Sequence, residues 1–141
     1  MKKIIAILSC IFMFIIISFS AAEEKSPKSF TETFLVTLKE GKISQAYDQL
    51  FVGSDIPISK PQAVDLIKSQ TESMLPLYGK IIGFELIQEE KFGTSIVRLV
   101  YVLKMEKVPT VWEFYFYKPK TTWFLGNLLF NDQFNLLESK K

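Results

Sequence analysis

Glu85, Glu113, Tyr101, Tyr115 and Arg98 are the residues with which this chain could do chemistry, and their company is thin. The 141 residues contain no histidine. That removes imidazole acid–base catalysis, Ser-His-Asp and Cys-His nucleophiles, and imidazole metal sites. The single cysteine, Cys10, lies in an apolar N-terminal run, so the segment after that run holds neither a disulfide nor a reactive thiol. A zinc or copper site would need carboxylates alone, and no acidic cluster offers one. Glu89-Glu90 comes closest and is expected at a solvated hairpin tip rather than around calcium. What remains is a carboxylate working with a phenol, Glu113 or Glu85 as base and Tyr101 or Tyr115 as oxyanion donor. A desolvated carboxylate in an apolar pocket would suit such a base. Against this, Glu113 reads equally as a cross-strand partner and the tyrosines as sheet filler. The expectation adopted is no catalytic residue, no cofactor and no metal.

Two residues point to ligands instead. Arg98 sits inside a strand reading Ile96-Val97-Arg98-Leu99-Val100, so its neighbours are partly apolar. Such an arginine pairs with a carboxylate, Glu85 for example, snorkels at an edge, or aims into a pocket at an anionic group. Tyr78, just before Gly79, could line a pocket mouth. The pocket candidates are thus Arg98, Glu113, Glu85, Tyr101 and Tyr78.

The elements that must position these residues begin after a leader. Met1-Lys2-Lys3 is basic, residues 4–19 are apolar except for Ser9, Cys10 and Ser18, and Ser20-Ala21-Ala22 are small. That order predicts a secretory signal over residues 1–22, cleaved after Ala22, and a single exported domain over residues 23–141, periplasmic or extracellular. The run is short for an uncleaved membrane anchor, so the membrane is met only through the signal. Cys10 with Ile7-Leu8-Ser9 loosely resembles a lipobox, but the strongest apolar stretch follows it rather than precedes it. Two of the 17 basic residues, Lys2 and Lys3, leave with the signal, and the 15 that remain balance the 15 acids. Arg98 is the lone arginine and the lysines are scattered, which argues against nucleic acid.

Ser26-Pro27 predicts a helix start and Gly41 its end, with Phe30, Phe34, Leu35 and Leu38 on one face. A shorter helix follows through Ile43, Ala46, Tyr47, Leu50 and Phe51. Residues 52–59 read as a break with an extended piece at Ile56 to Ile58. Ser59 and Gln62 form a capping-box pattern for a third helix, which Pro76 is expected to end or kink near Leu75. From Lys80 the period becomes two. Strands are predicted over residues 80–88, 94–106, 111–117 and 122–131, with short linkers that imply an antiparallel meander. Helices first and a meander afterwards predict an α+β domain, its N-terminal helices packed on a curved four-stranded sheet.

The last hairpin, "WEFYFYKPKTTWFLGNLLF", is apolar at nearly every position, although a sheet with one wet face should alternate. A turn centred on Lys120 would set Tyr117 opposite Trp123, Tyr115 opposite Leu125 and Glu113 opposite Asn127. Trp112, Phe114, Phe116, Phe124, Gly126 and Leu128 would then lie under the helices. The other face would present Tyr115, Tyr117, Trp123, Leu125 and Asn127, too much apolar surface for a monomer to expose. These five are the candidate interface of a homodimer.

"LKEGKISQAYDQL", the exit "PLYGKIIGFEL" and the aromatic hairpin together resemble the nuclear transport factor 2-like, or cystatin-like, superfamily, and its small secreted bacterial members in particular. The resemblance spans Phe30 to about Phe134. It implies a cone of sheet round a long helix, a pocket at the open end, and an outer face that often dimerises. Some members are isomerases or dehydratases and many only bind. The expected function is a non-enzymatic secreted binding or interaction domain, dimerising through the outer sheet face and holding a small amphipathic molecule in the cone or meeting another envelope protein. The alternative is an isomerase or lyase using a pocket carboxylate with a tyrosine.

Overall fold

A computed structural model describes residues 24–137, so the expected signal and its cleavage site lie outside the described residues. Helix α1 spans Pro27–Lys39, with Ser26 Oγ accepting from the Ser29 backbone N–H at 3.1 Å and proline at the first helical position. That cap satisfies one of the N–H groups that the first turn leaves without a partner. Helix α1 ends ahead of Gly41, whose φ of 78° places it in the left-handed region. Helix α2 follows at Ile43–Leu50, the short α3 at Ile56–Ser59, and α4 at Pro61–Tyr78. No helix among the described residues is long and apolar enough to cross a membrane.

Three local expectations are corrected. Ile56 to Ile58 is helical, not extended. Ser59 does not cap α4, because as the last residue of α3 it donates its hydroxyl to the Asp55 carbonyl, and Lys60 stands at the cap. Pro76 does not end α4 at Leu75: the helix runs on to Tyr78, and Gly79 N–H still reaches the Leu75 carbonyl at 2.9 Å. A proline this near the C-terminus costs one backbone bond at an exposed helix end, where water can replace it.

The strands are β1 (Ile81–Phe92), β2 (Ile96–Met105), β3 (Thr110–Tyr117) and β4 (Phe124–Asn131), in an open antiparallel meander of order β1-β2-β3-β4. The expected α+β architecture of helices followed by a meander is therefore what the chain adopts. Strand β1 is longer than expected. It continues through Glu89-Glu90 to Phe92, so the first turn is built around Gly93 instead.

Strand pairing sorts the sheet into two faces. On the inner face the cross-strand rows run Leu86–Tyr101–Trp112–Phe130, then Leu99–Phe114–Leu128, then Val97–Phe116–Leu125. Helix α1 lies on them, with the Phe34 ring 5.6 Å from Trp112, 5.7 Å from Phe114 and 5.1 Å from Tyr47. Phe34, Leu35, Tyr47, Leu50, Trp112, Phe114 and Phe116 are completely buried. Each large apolar side chain so buried contributes about 1.5–3 kcal/mol. Thr71 donates its hydroxyl to the Ile67 carbonyl at 2.8 Å, which leaves it to accept from the Tyr47 hydroxyl at 2.7 Å where α2 meets α4.

The expected register of the last hairpin is corrected. Tyr115 opposes Asn127 and Glu113 opposes Leu129, and Gly126 is an extra residue where β4 bulges between Asn127 and Leu125. A bulge restarts the alternation. It turns Leu125 inward against Phe116 and leaves Phe124 outward beside Tyr117. Leu125 is thus core, not interface.

Candidate functional site

The outer face is not apolar throughout, as the hairpin had suggested. Reading across the four strands, its rows are Phe92–Ile96–Tyr117–Phe124, then Glu90–Arg98–Tyr115–Asn127, then Gln88–Val100–Glu113–Leu129. The middle of the face is ionic. Arg98 donates through Nε to Glu113 Oε2 at 2.9 Å, its Nη2 lies 2.7 Å from the same oxygen, and Nη1 donates to Glu90 Oε2 at 2.8 Å. Tyr115 Oη donates to Glu113 Oε2 at 3.1 Å, and its ring centroid stands 5.9 Å from the guanidinium carbon. Gln88 donates to Glu90 Oε1 at 2.6 Å.

Only 4% of Arg98 remains accessible, beside a completely buried Val100. Burial opposes the arginine's charge, but the hydrogen bonds it donates to Glu113 and then Glu90 outweigh it and hold its pKa above the ordinary value. Tyr115 is likewise raised, first by burial and then by the Glu113 charge. The guanidinium bonds are taken up by the Glu113 and Glu90 carboxylates. The expectation that Arg98 pairs with a carboxylate holds, with different partners: Glu85 is exposed and bridges to Lys104 at 2.9 Å.

The isomerase-like geometry does not assemble. Tyr101 projects from the opposite face to Glu85 and Glu113. It is buried between Phe84 and Phe114, with its hydroxyl 3.5 Å from Glu32. Burial first, then the Glu32 charge, raises its pKa. The carboxylate–phenol pair that does form, Glu113 with Tyr115, lies on the outer face and is engaged by Arg98.

Beneath α1 the aromatic rings of Phe34, Trp112 and Phe114 pack against one another on the inner face. Clefts lie at its margins. One, of about 360 Å³, runs between the C-terminal half of α4 and the end of β4, floored by Met74 and Phe130. Phe130 stacks on Trp112 at 4.4 Å. Tyr78 lines this cleft and donates to Asp132 at 2.7 Å. That bond, ahead of any burial, raises its pKa. Another cleft, of about 200 Å³, lies between Phe51, Val64 and Leu128. A third, of about 400 Å³, opens where the C-terminal ends of α1 and α4 meet β1 and the β2–β3 turn.

The interface candidates divide. Tyr117 is 43% exposed and meets Phe124 edge-on at 5.6 Å. Asn127 is exposed, and its side chain accepts from the Leu128 backbone N–H at 2.9 Å. Trp123 precedes β4 and packs against the core, its ring 4.8 Å below the Lys118 ammonium. Tyr115 belongs to the Arg98 network. Sequence reasoning missed Glu90, because β1 was ended too early; the alternation Gln88, Glu90, Phe92 opposite Arg98 was the available signal. No protein-family model, curated protein or solved structure matches the chain.

Proposed function

We propose that this chain is an exported, non-catalytic interaction domain of the nuclear transport factor 2-like type, pairing with a second copy through the outer face of its sheet. One observation carries the reading: the row Phe92–Ile96–Tyr117–Phe124 crosses all four strands at one end of that face. Phe92 is 51% exposed, Ile96 39% and Tyr117 43%. Contiguous apolar surface of this kind on a monomer marks an interaction site. Aromatic residues beside a satisfied arginine are the composition of interface cores. A twofold axis would set this row against its own copy, the commonest arrangement of soluble oligomers. In the Arg98 network beside it the charges are paired within the chain, so an identical partner meets little uncompensated charge there.

Support for export comes from the signal-like order of the first residues, and for the superfamily from the helix-Gly-helix and aromatic-hairpin motifs on an α+β meander. Support for a non-catalytic role comes from the carboxylates: Glu85 and Glu113 are bound to Lys104 and Arg98, and they do not converge on a cleft.

Light scattering of the purified protein across the micromolar range tests the pairing. A dimer is expected, and Phe92→Lys with Tyr117→Lys should give a monomer whose unfolding midpoint and circular dichroism stay close to those of the parent monomer. A parent protein that is monomeric throughout overturns the proposal.

A further inference from the structure

The cleft of about 400 Å³ at the joined ends of α1 and α4 carries a different chemistry from the rest of the surface. Lys39 comes from the last turn of α1, Lys80 from the link between α4 and β1, and Lys107 from the β2–β3 turn, and all three line it. None of the three forms an ion pair among the described residues. Glu106, the carboxylate on the same wall, is spent on the backbone: its Oε2 accepts from Lys80 N–H at 3.0 Å. The floor is apolar, with Leu38 and Ile81 buried and Leu75 half-buried beside them.

The geometry is held by main-chain bonds. Glu106 N–H donates to the Lys80 carbonyl at 3.1 Å and Lys107 N–H to the Tyr78 carbonyl at 2.9 Å, so the two lysine-bearing segments are pinned together. Gly79, at φ 85°, lets Glu106 lie flat against the chain, where a Cβ would meet its carboxylate at 2.7 Å. Helix C-termini attract lysines, which offers a purely structural reason for them. That reason is too small. Two helix ends supply about −0.5 each, and with Glu106 they leave three full positive charges incompletely balanced.

We infer that this cleft binds a free single-chain anionic amphiphile, its carboxylate or phosphate head on Lys39, Lys80 and Lys107 and its chain along Leu38, Leu75 and Ile81. Charge-assisted bonds fix the head, and burial of the chain supplies affinity that a bare anion lacks.

Calorimetric titration of the protein with dodecanoate, octanoate, dodecyl phosphate, decyl glucoside and inorganic phosphate tests this. One-to-one saturable binding of dodecanoate and dodecyl phosphate is expected, stronger than for octanoate and weakened by salt. Each Lys→Gln substitution should lower affinity roughly threefold to fivefold, and the triple Lys39→Gln, Lys80→Gln, Lys107→Gln at least about tenfold, with circular dichroism unchanged. Equal binding of decyl glucoside, equal binding of inorganic phosphate, or full binding by the triple variant overturns the inference. So does binding seen only in sedimentation with anionic phospholipid vesicles and never with free dodecanoate, which would mark a membrane-facing patch instead. The outcome is independent of oligomeric state, since this cleft and the apolar row lie on different surfaces.

Discussion

Replacing Arg98 by methionine is the sharpest test of how the outer face is stabilised. The substitution keeps much of the side-chain volume and deletes every charged hydrogen bond that joins Glu90 to Glu113. Removing one member of a fully buried ion pair costs about 3–5 kcal/mol, because the partner is left desolvated and unpaired. Here the stranded groups are not fully buried: Glu90 keeps 35% of its side-chain surface and Glu113 keeps 20%. Water can reach both, so the cost should fall at or below the bottom of that range, and about 2–3 kcal/mol is expected. For a domain of this size that lowers Tm by roughly 6–15 °C. Glu113→Gln retains an acceptor for Tyr115, so Arg98→Met combined with Glu113→Gln should cost less than the sum of the two by about 1–2 kcal/mol. Urea unfolding followed by fluorescence of the buried Trp112 reads all three variants. A cost below about 1 kcal/mol for Arg98→Met, or strict additivity in the double variant, would show that the network is effectively solvated and refute the reasoning.

Phe34→Ala removes a completely buried ring that touches Tyr47, Trp112 and Phe114, and should cost about 3–5 kcal/mol in urea unfolding with loss of near-ultraviolet dichroism. Gly79→Ala should cost about 2–3 kcal/mol, because strain at φ 85° adds to displacement of Glu106 from the Lys80 N–H. Gly41→Ala has comparable strain but open space round the new methyl, and should cost nearer about 1 kcal/mol in the same assay. Tyr47, Tyr101 and Tyr115 are all raised above the ordinary phenol pKa, first by burial. The folded chain therefore keeps protons that the unfolded chain releases, so this contribution to stability is complete below about pH 10 and is lost as pH climbs beyond it. Denaturant midpoints should hold to that point and then fall, and Tyr47→Phe should make the fall shallower.

How far the sequence could be read depended on the kind of signal. Capping residues and spacing placed α1 and α2 within a residue or two, since Ser26, Pro27 and Gly41 act locally. The meander was legible because short linkers permit little else. Phe124 and Leu125 were exchanged between faces because the Gly126 bulge inserts a residue into a run where every alternative is apolar. Lys39, Lys80 and Lys107 are far apart along the chain and gave no pattern; they line one cleft because the C-terminal ends of α1 and α4 meet the β2–β3 turn. Arg98 was marked in advance because a charge inside an apolar strand needs a partner, yet its partners required knowing where β1 stops.

That last case explains why a sheet so uniformly apolar settles on one pairing. Hydrophobic alternation fixes register only where the two faces differ, and in β2 and β3 the faces differ little. Moving β2 by two residues against β1 would keep every side chain on its own face but place Arg98 opposite Gln88 or Phe92. The same slip against β3 toward Tyr117 would carry it away from Glu113, and the simultaneous reach to Glu90 and Glu113 would be lost. Which face a residue occupies therefore does not by itself choose among these registers, and the buried arginine with its two carboxylates adds a preference for the observed one. On this argument the network's contribution to specificity exceeds its contribution to stability. A variant in which Arg98, Glu90 and Glu113 are all apolar should then retain much of its stability while its amide resonances show more than one strand pairing.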